Sequence, residues 1–154
     1  MSKRKKNIEE FFSKYESNFN NALNGDQEEV LESMQASFTS CFMESNPKGV
    51  ICAQNNKEFI DKMKQVYQFY RTIGSKGMAI TSKEINLLDE FHASAKVYWR
   101  YSYEKDGHEG SIDFHNLYFI TTADGDPKIF AFIVGDEMKV LKEHGLVQQE
   151  AEVP

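Results

Sequence analysis

Few residues in this chain are of the types that do chemistry, and fewer stand at spacings that would combine them. Asp113 and His115 lie two apart in an alternating stretch, which puts both on one face of a strand. A histidine oriented by a carboxylate is a general-base arrangement. An ion pair of Asp113 with Arg100 on the neighbouring strand is the structural alternative. Asp136 opens a short terminal helical stretch, where it reads both as an N-cap and as a candidate acid or base. His92, His108 and His144 show no ligand spacing such as His-x-x-x-His, so no metal is expected. Neither a Gly-rich phosphate loop nor a Gly-x-Ser-x-Gly elbow occurs, and no cofactor is expected. Cys41 and Cys52 flank a turn-forming segment, where they read as two buried thiols or as a redox pair.

Helical periodicity dominates the first half. Ile8, Phe11, Phe12, Tyr15, Phe19, Ala22 and Leu23 form one apolar stripe, with Asn7 and Glu10 as a capping box and Asn24-Gly25 as the stop. Asp26 and Glu29 begin a second helix carrying Val30, Leu31 and Met34. Asn55 and Glu58 begin a third, with Phe59, Ile60, Met63, Val66, Tyr67 and Tyr70 on one face and Gly74 at its end. Between them, Phe38 to Gln54 reads as a small hairpin around Ser45-Asn46-Pro47-Lys48-Gly49. Strand patterning then takes over: 79–89, 91–104, 109–122 and 128–134, followed by a helix over 137–144.

The dipeptide Asp106-Gly107 is a two-residue hairpin signal that fixes a register. It pairs Trp99 with Phe114, Tyr101 with Ile112, Val97 with Asn116, Ala95 with Tyr118, and Ala93 with Ile120. That face is apolar apart from one amide, Asn116. The opposite face pairs Arg100 with Asp113, Tyr98 with His115, Lys96 with Leu117, and Ser94 with Phe119. A one-residue slip would bury Arg100 and Asp113, so the pattern specifies its own alignment. Simple alternation in the last strand puts Phe130, Phe132 and Val134 inside. Tyr98, His115, Leu117, Phe119, Ile129, Ala131 and Ile133 then share the outer face. Such an exposed apolar patch marks an interface, and a sheet-to-sheet homodimer is expected.

The order of elements resembles the nuclear transport factor 2-like superfamily over roughly Asn7 to Val147. Asp124-Gly125, Lys128-Ile129 and the run Gly135 to Leu146 resemble the close of SnoaL-like domains, and Leu23-Asn24-Gly25-Asp26 resembles the family's link between its first helices. The resemblance implies an α+β, cone-shaped fold. A strongly curved, mainly antiparallel sheet wraps around three N-terminal helices, and a short C-terminal helix closes the chain. It also implies a cavity, lined here by Tyr15, Phe19, Tyr67, Tyr70, Trp99, Tyr101, Asn116 and Tyr118. Buried tyrosine hydroxyls need partners, which a partly polar pocket supplies. Steroid isomerases of this fold carry a general-base Asp before a Pro in the first hairpin, where this chain has Asn46. The counterpart of their oxyanion-holding Asp is Asn116, and that of their helix-one Tyr is Asn18 or Phe19. An amide accepts no proton at neutral pH, so that constellation is missing. Asn116 retains the ability to donate to a ligand oxygen.

Composition bounds the rest. With 40% hydrophobic and 27% charged residues over 154 positions, the chain has the makings of one domain with its own core. The net charge of −6 argues against general nucleic-acid binding. The basic run Lys3-Arg4-Lys5-Lys6 reads as part of a disordered tail over 1–7, or as a tether to an anionic partner. The domain is expected over 8–147, with a second disordered tail over 148–154. No apolar run reaches membrane-spanning length, no apolar segment follows the basic start, and two cysteines do not make a secreted scaffold. A cytoplasmic protein is therefore expected. Three functions follow from the resemblance: a SnoaL-like binder of small hydrophobic molecules, a cyclase, isomerase or dehydratase acting on a hydrophobic or polyketide-like substrate, and a protein-interaction module.

Overall fold

A computed structural model of the chain describes residues 2–25 and 27–148. Its elements run α1 (Lys3–Ala22), α2 (Glu28–Gln35), β1 (Phe38–Asn46), β2 (Gly49–Gln54), α3 (Lys57–Thr72), β3 (Ser75–Leu87), β4 (His92–Lys105), β5 (His108–Thr121), β6 (Lys128–Ile133) and α4 (Glu137–Glu143). The strands form one open six-stranded sheet in the order β2-β1-β6-β5-β4-β3. All neighbours are antiparallel except β1 and β6, which run parallel. This is the expected α+β architecture, with the helices against the concave face.

The long β4–β5 hairpin has the register that Asp106-Gly107 dictates, from His92 opposite Thr121 to Lys105 opposite His108. Both turn residues lie at positive φ, +52° and +78°, as a two-residue turn of this hand requires. Ala93, Ala95, Val97, Trp99 and Tyr101 all point inward and are buried. Arg100 is exposed, with its guanidinium bonded twice to Asp113 at 2.8 and 3.1 Å. That pair holds the Asp113 carboxyl below its ordinary range.

Curvature comes from bulges. One lies in β3 between Ile80 and Ser82, so Met78 and Ile80 face inward before it and Lys83, Ile85 and Leu87 after it. Another separates Phe119–Ala131 from Ile120–Ile129, leaving Phe130 as the extra residue. Simple alternation in β6 fails here. Ile129 turns into the core with no exposed surface, whereas Phe130 faces outward against Phe119 and His92.

Helix α1 begins at Lys3, with the Ser2 hydroxyl accepting from the Lys5 N–H at 3.2 Å. The basic run is therefore the helix's first turn and not part of a disordered tail. Lysine and arginine continue a helix well, and Ile8 and Phe12 anchor the segment beneath the sheet. The C-terminal tail beyond 148 and the Asp26 cap lie outside the described residues. The cap of α3 is Asn56, which accepts from the Phe59 N–H at 3.2 Å. The neighbouring Asn55 instead donates to the Gln35 and Phe38 carbonyls, tying α2 to β1. Gly74 closes α3 at φ +87°, and any Cβ there would strike the Glu104 carbonyl. The next residue already belongs to β3, four positions before the start that patterning gives.

One feature of α1 left no periodic mark in the sequence. β3 is an edge strand, and α1 supplies partners for its outward backbone groups. Asn20 accepts from the Met78 N–H and donates to the Met78 carbonyl, both at 2.8 Å, while Glu16 accepts from the Ile80 N–H at 2.6 Å. Over Met78 to Ile80 the edge is thereby closed to another strand.

Candidate functional site

The sequence-derived lining residues lie on the concave side, but they divide among three packed groups. Trp99 and Tyr118 belong to the first, with Ile8, Phe12, Phe38 and Phe42, and Tyr15 packs against them. Phe19 and Tyr67 belong to the second, between α1, α2 and α3. Tyr101 belongs to the third, beneath α4, and Tyr70 touches the second and third. Much of the interior is thus ring against ring: Phe12–Tyr118 at 5.2 Å, Tyr15–Tyr118 at 5.9 Å and Tyr118–Phe132 at 6.1 Å between centroids.

The phenols find partners within the protein. Tyr118 Oη accepts from Trp99 Nε1 at 3.3 Å and Asn116 Nδ2 at 3.2 Å, and hydrogen-bonds to Tyr15. Tyr67 donates to the Met34 sulfur at 2.8 Å, and Tyr101 pairs with the Ser75 hydroxyl. Burial raises the pKa of Tyr15, Tyr67 and Tyr118, so all three remain neutral phenols at physiological pH.

Sequence reading passed over two further carboxyls. Glu44 follows Phe42 on the inward face of β1 and pairs with Phe132, whose ring stacks on Tyr118. Its charge bears on Tyr15 and on Glu137. Glu137 is the first residue of α4, and its Oε1 accepts from the Tyr70 hydroxyl across from α3. The residue as a whole is exposed, while its carboxyl loses hydration to the protein around it. Lost hydration, with a smaller push from the Glu44 charge, lifts its pKa to about 7. Asp136, the acid singled out from the sequence, is spent as the α4 N-cap, accepting from the Lys139 N–H at 3.0 Å.

The counterparts of the steroid-isomerase residues serve local structure. Asn46 accepts from the Lys48 N–H at 2.8 Å and donates to Glu44 Oε2 at 3.3 Å. The buried Asn18 donates to the Ser33 hydroxyl at 2.8 Å. His115 is exposed on the outer face with its ring against Tyr98, away from the concave side. Cys41 lies opposite Gln54, and Cys52 opposite Met43, so the two thiols are diagonal rather than paired, and both are exposed instead of buried. Among the described residues no cluster of three metal-ligating side chains occurs, and no helix is long and apolar enough to cross a membrane. An open groove of about 350 Å³ runs along α2 and the start of β1, between Glu32, Ser40, Asn55 and Lys128. It is separate from the carboxyl corner.

An open, bulged sheet curled over helices, with polar groups gathered on its concave side, defines the class as an NTF2-type cone. The family model described as NTF2-like protein (DUF6841) matches residues 4–137, and the chain belongs to that family. None of the curated proteins matches the sequence. Among solved structures, an NTF2-like protein with a cystatin-like fold from Novosphingobium aromaticivorans superposes with a TM-score of 0.65 at 12% identity, covering 94% of this chain and 88% of that one. A ketosteroid isomerase-like protein from Erwinia carotovora atroseptica gives 0.62 at 15% identity, covering 88% and 97%. An NTF-2 like protein of unknown function from Shewanella oneidensis gives 0.62 at 16%, covering 86% and 99%. At such identities the likeness speaks to fold alone.

Proposed function

We propose that this NTF2-like domain binds a small, largely hydrophobic molecule on its concave side, beside Trp99, Asn116, Tyr118 and Tyr15. The SnoaL-like character of the terminal segment belongs to the same reading. The observation that carries it is the hydrogen-bonded cluster of Trp99, Asn116, Tyr118 and Tyr15, set into an otherwise apolar concave layer. Aromatic walls with a few fixed polar groups suit a ligand that is mostly apolar and carries one or two oxygens. Ligand-detected NMR against a panel of aromatic ketones and phenols tests this. Asn116→Leu should weaken the best binder about tenfold, the loss of one net hydrogen bond. Equal affinity in the variant would remove Asn116 from the site.

The convex face favours a second copy of the chain as partner. Met43, Ala131, Ile133, Leu117 and Phe119 form a continuous apolar strip there, with Ile133 44% exposed and Met43 48% exposed. Arg100 and Asp113 provide both signs of charge on the same face, so it can complement itself across a two-fold axis. Ile129 has no part in that strip, because the β6 bulge turns it inward. Sedimentation of the wild-type chain should show a dimer, and Ile133→Asp should shift it to monomer. A wild-type monomer at high concentration would refute the pairing.

A further inference from the structure

Three sulfurs stand together on the outward face of the β1–β2 hairpin. The register runs unbroken from Cys41 opposite Gln54 to Asn46 opposite Gly49, so side chains alternate regularly along both strands. Phe42 and its partner Ala53 take inward positions, packed into the core. Cys41, Met43, Cys52 and Gln54 share the other face, where both thiols are exposed and Met43 is 48% exposed. Met43 lies directly opposite Cys52 and two residues along the strand from Cys41. Cys41 and Cys52 are diagonal neighbours.

Spacing decides what such sulfurs can do. Diagonal positions on antiparallel strands are about 7–8 Å apart at Cα, and somewhat closer at Cβ. A disulfide needs Cβ atoms at about 3.5–4.5 Å, so the hairpin holds the two thiols too far apart to join. A metal between them replaces one S–S bond of about 2 Å with two metal–sulfur bonds of about 2.3 Å each. The reach grows by roughly 2.5 Å, which matches the diagonal. Directly opposed residues have Cβ atoms about 4.5–5.5 Å apart, so the flexible Met43 thioether comes to the same point from across Cys52.

We infer that Cys41, Cys52 and Met43 form a binding site for a soft monovalent metal ion, copper(I) by its chemistry. Two thiolates and one thioether are the ligands. Both thiols release their protons to solvent on binding, and the loaded site carries one net negative charge. Thiolate and thioether donors favour copper(I), whereas zinc asks for four ligands in a tetrahedron. The flanking outward positions are Ser45, Val50, Gln54 and Ala131, which bring no imidazole or carboxylate to complete one. Histidine, cysteine and carboxylate side chains form no cluster of three among the described residues, and the third donor here is of another kind. The site lies across the sheet from the concave-side ligand and does not depend on it.

The test titrates the reduced full chain, without oxygen, against the copper(I) complex of bathocuproine disulfonate and follows loss of the complex's absorbance. One copper per chain is expected. Cys41→Ser and Cys52→Ser should each weaken binding more than about 100-fold, beyond the usual cost of losing an outer-shell partner. Met43→Leu keeps the side chain's size and should weaken binding about tenfold. X-ray absorption of the loaded protein should show three sulfur neighbours, and one fewer in Met43→Leu. All three side chains are exposed, so circular dichroism of the variants should match wild type. No transfer of copper from the complex, or an affinity indifferent to either cysteine substitution, would overturn the site. One copper shared between two chains would overturn it as well, because sulfurs of separate copies would then be meeting. Displacement of the copper by an equal amount of zinc(II) would overturn the assignment to a soft monovalent ion.

Discussion

Trp99→Ala is expected to lower the free energy of unfolding by about 4 kcal/mol, the cost of emptying a fully packed indole site. The ring is 1% exposed, lies 6.3 Å from Tyr15 between centroids, and sits opposite Phe114 in the middle of the longest hairpin. Its loss would also take one donor from the Tyr118 oxygen, buried where water cannot substitute for it. Trp99→Phe separates the two contributions, because it restores most of the volume and none of the N–H. Urea unfolding of the three proteins measures both. A loss below 1 kcal/mol in the alanine variant would mean that the site collapses, and that the concave layer is far softer than its ring packing indicates.

Stability should also fall as pH rises across neutrality, through Glu137. Its folded pKa, about 7, lies above the 4.5 of a free glutamate, so the folded chain holds this proton more tightly than the unfolded chain does. The resulting stabilisation is full below about 4.5 and is lost as pH rises through about 7. A shift of that size in a fully enclosed group corresponds to about 3 kcal/mol. The exposed surface of Glu137 lets water screen part of it, and about 1.5 kcal/mol is the expected loss. Glu137→Gln stays neutral at every pH and should remove this slope. Melting temperatures of both proteins at pH 5 and pH 8.5 test it. Parallel losses in the two would place the titrating group elsewhere.

What the sequence revealed follows from which physical constraints leave a pattern. The β4–β5 register was legible because Asp106-Gly107 admits one turn geometry, and because a slip would bury Arg100 with Asp113. The helices were legible because their stripes are long. The β6 bulge was not, since Ile129 and Phe130 are both apolar and alternation cannot tell which one is extra. Glu137 was hidden by Asp136, whose capping role already accounted for an acid at that helix start. Glu44 was within reach: the Pro47-Lys48 turn sets the parity of β1, and Phe38 and Phe42 on even positions place Glu44 on the same face. Glu16 and Asn20 read as solvated polar positions on α1, because only the tertiary structure brings a strand edge to them.

β6 lies between β1 and β5, so the middle of the sheet is laid down last. Phe38 must wait for Ile129, and Tyr118 for Phe132, before either row closes. During synthesis on the ribosome, the β1–β2 and β4–β5 hairpins can form early as separate leaves, each presenting an unpaired inner margin to whatever is nearby. Only when residues 128–133 emerge from the exit tunnel does a single segment zip both leaves together. This nascent chain is therefore most prone to association with its neighbours just before its final strand appears.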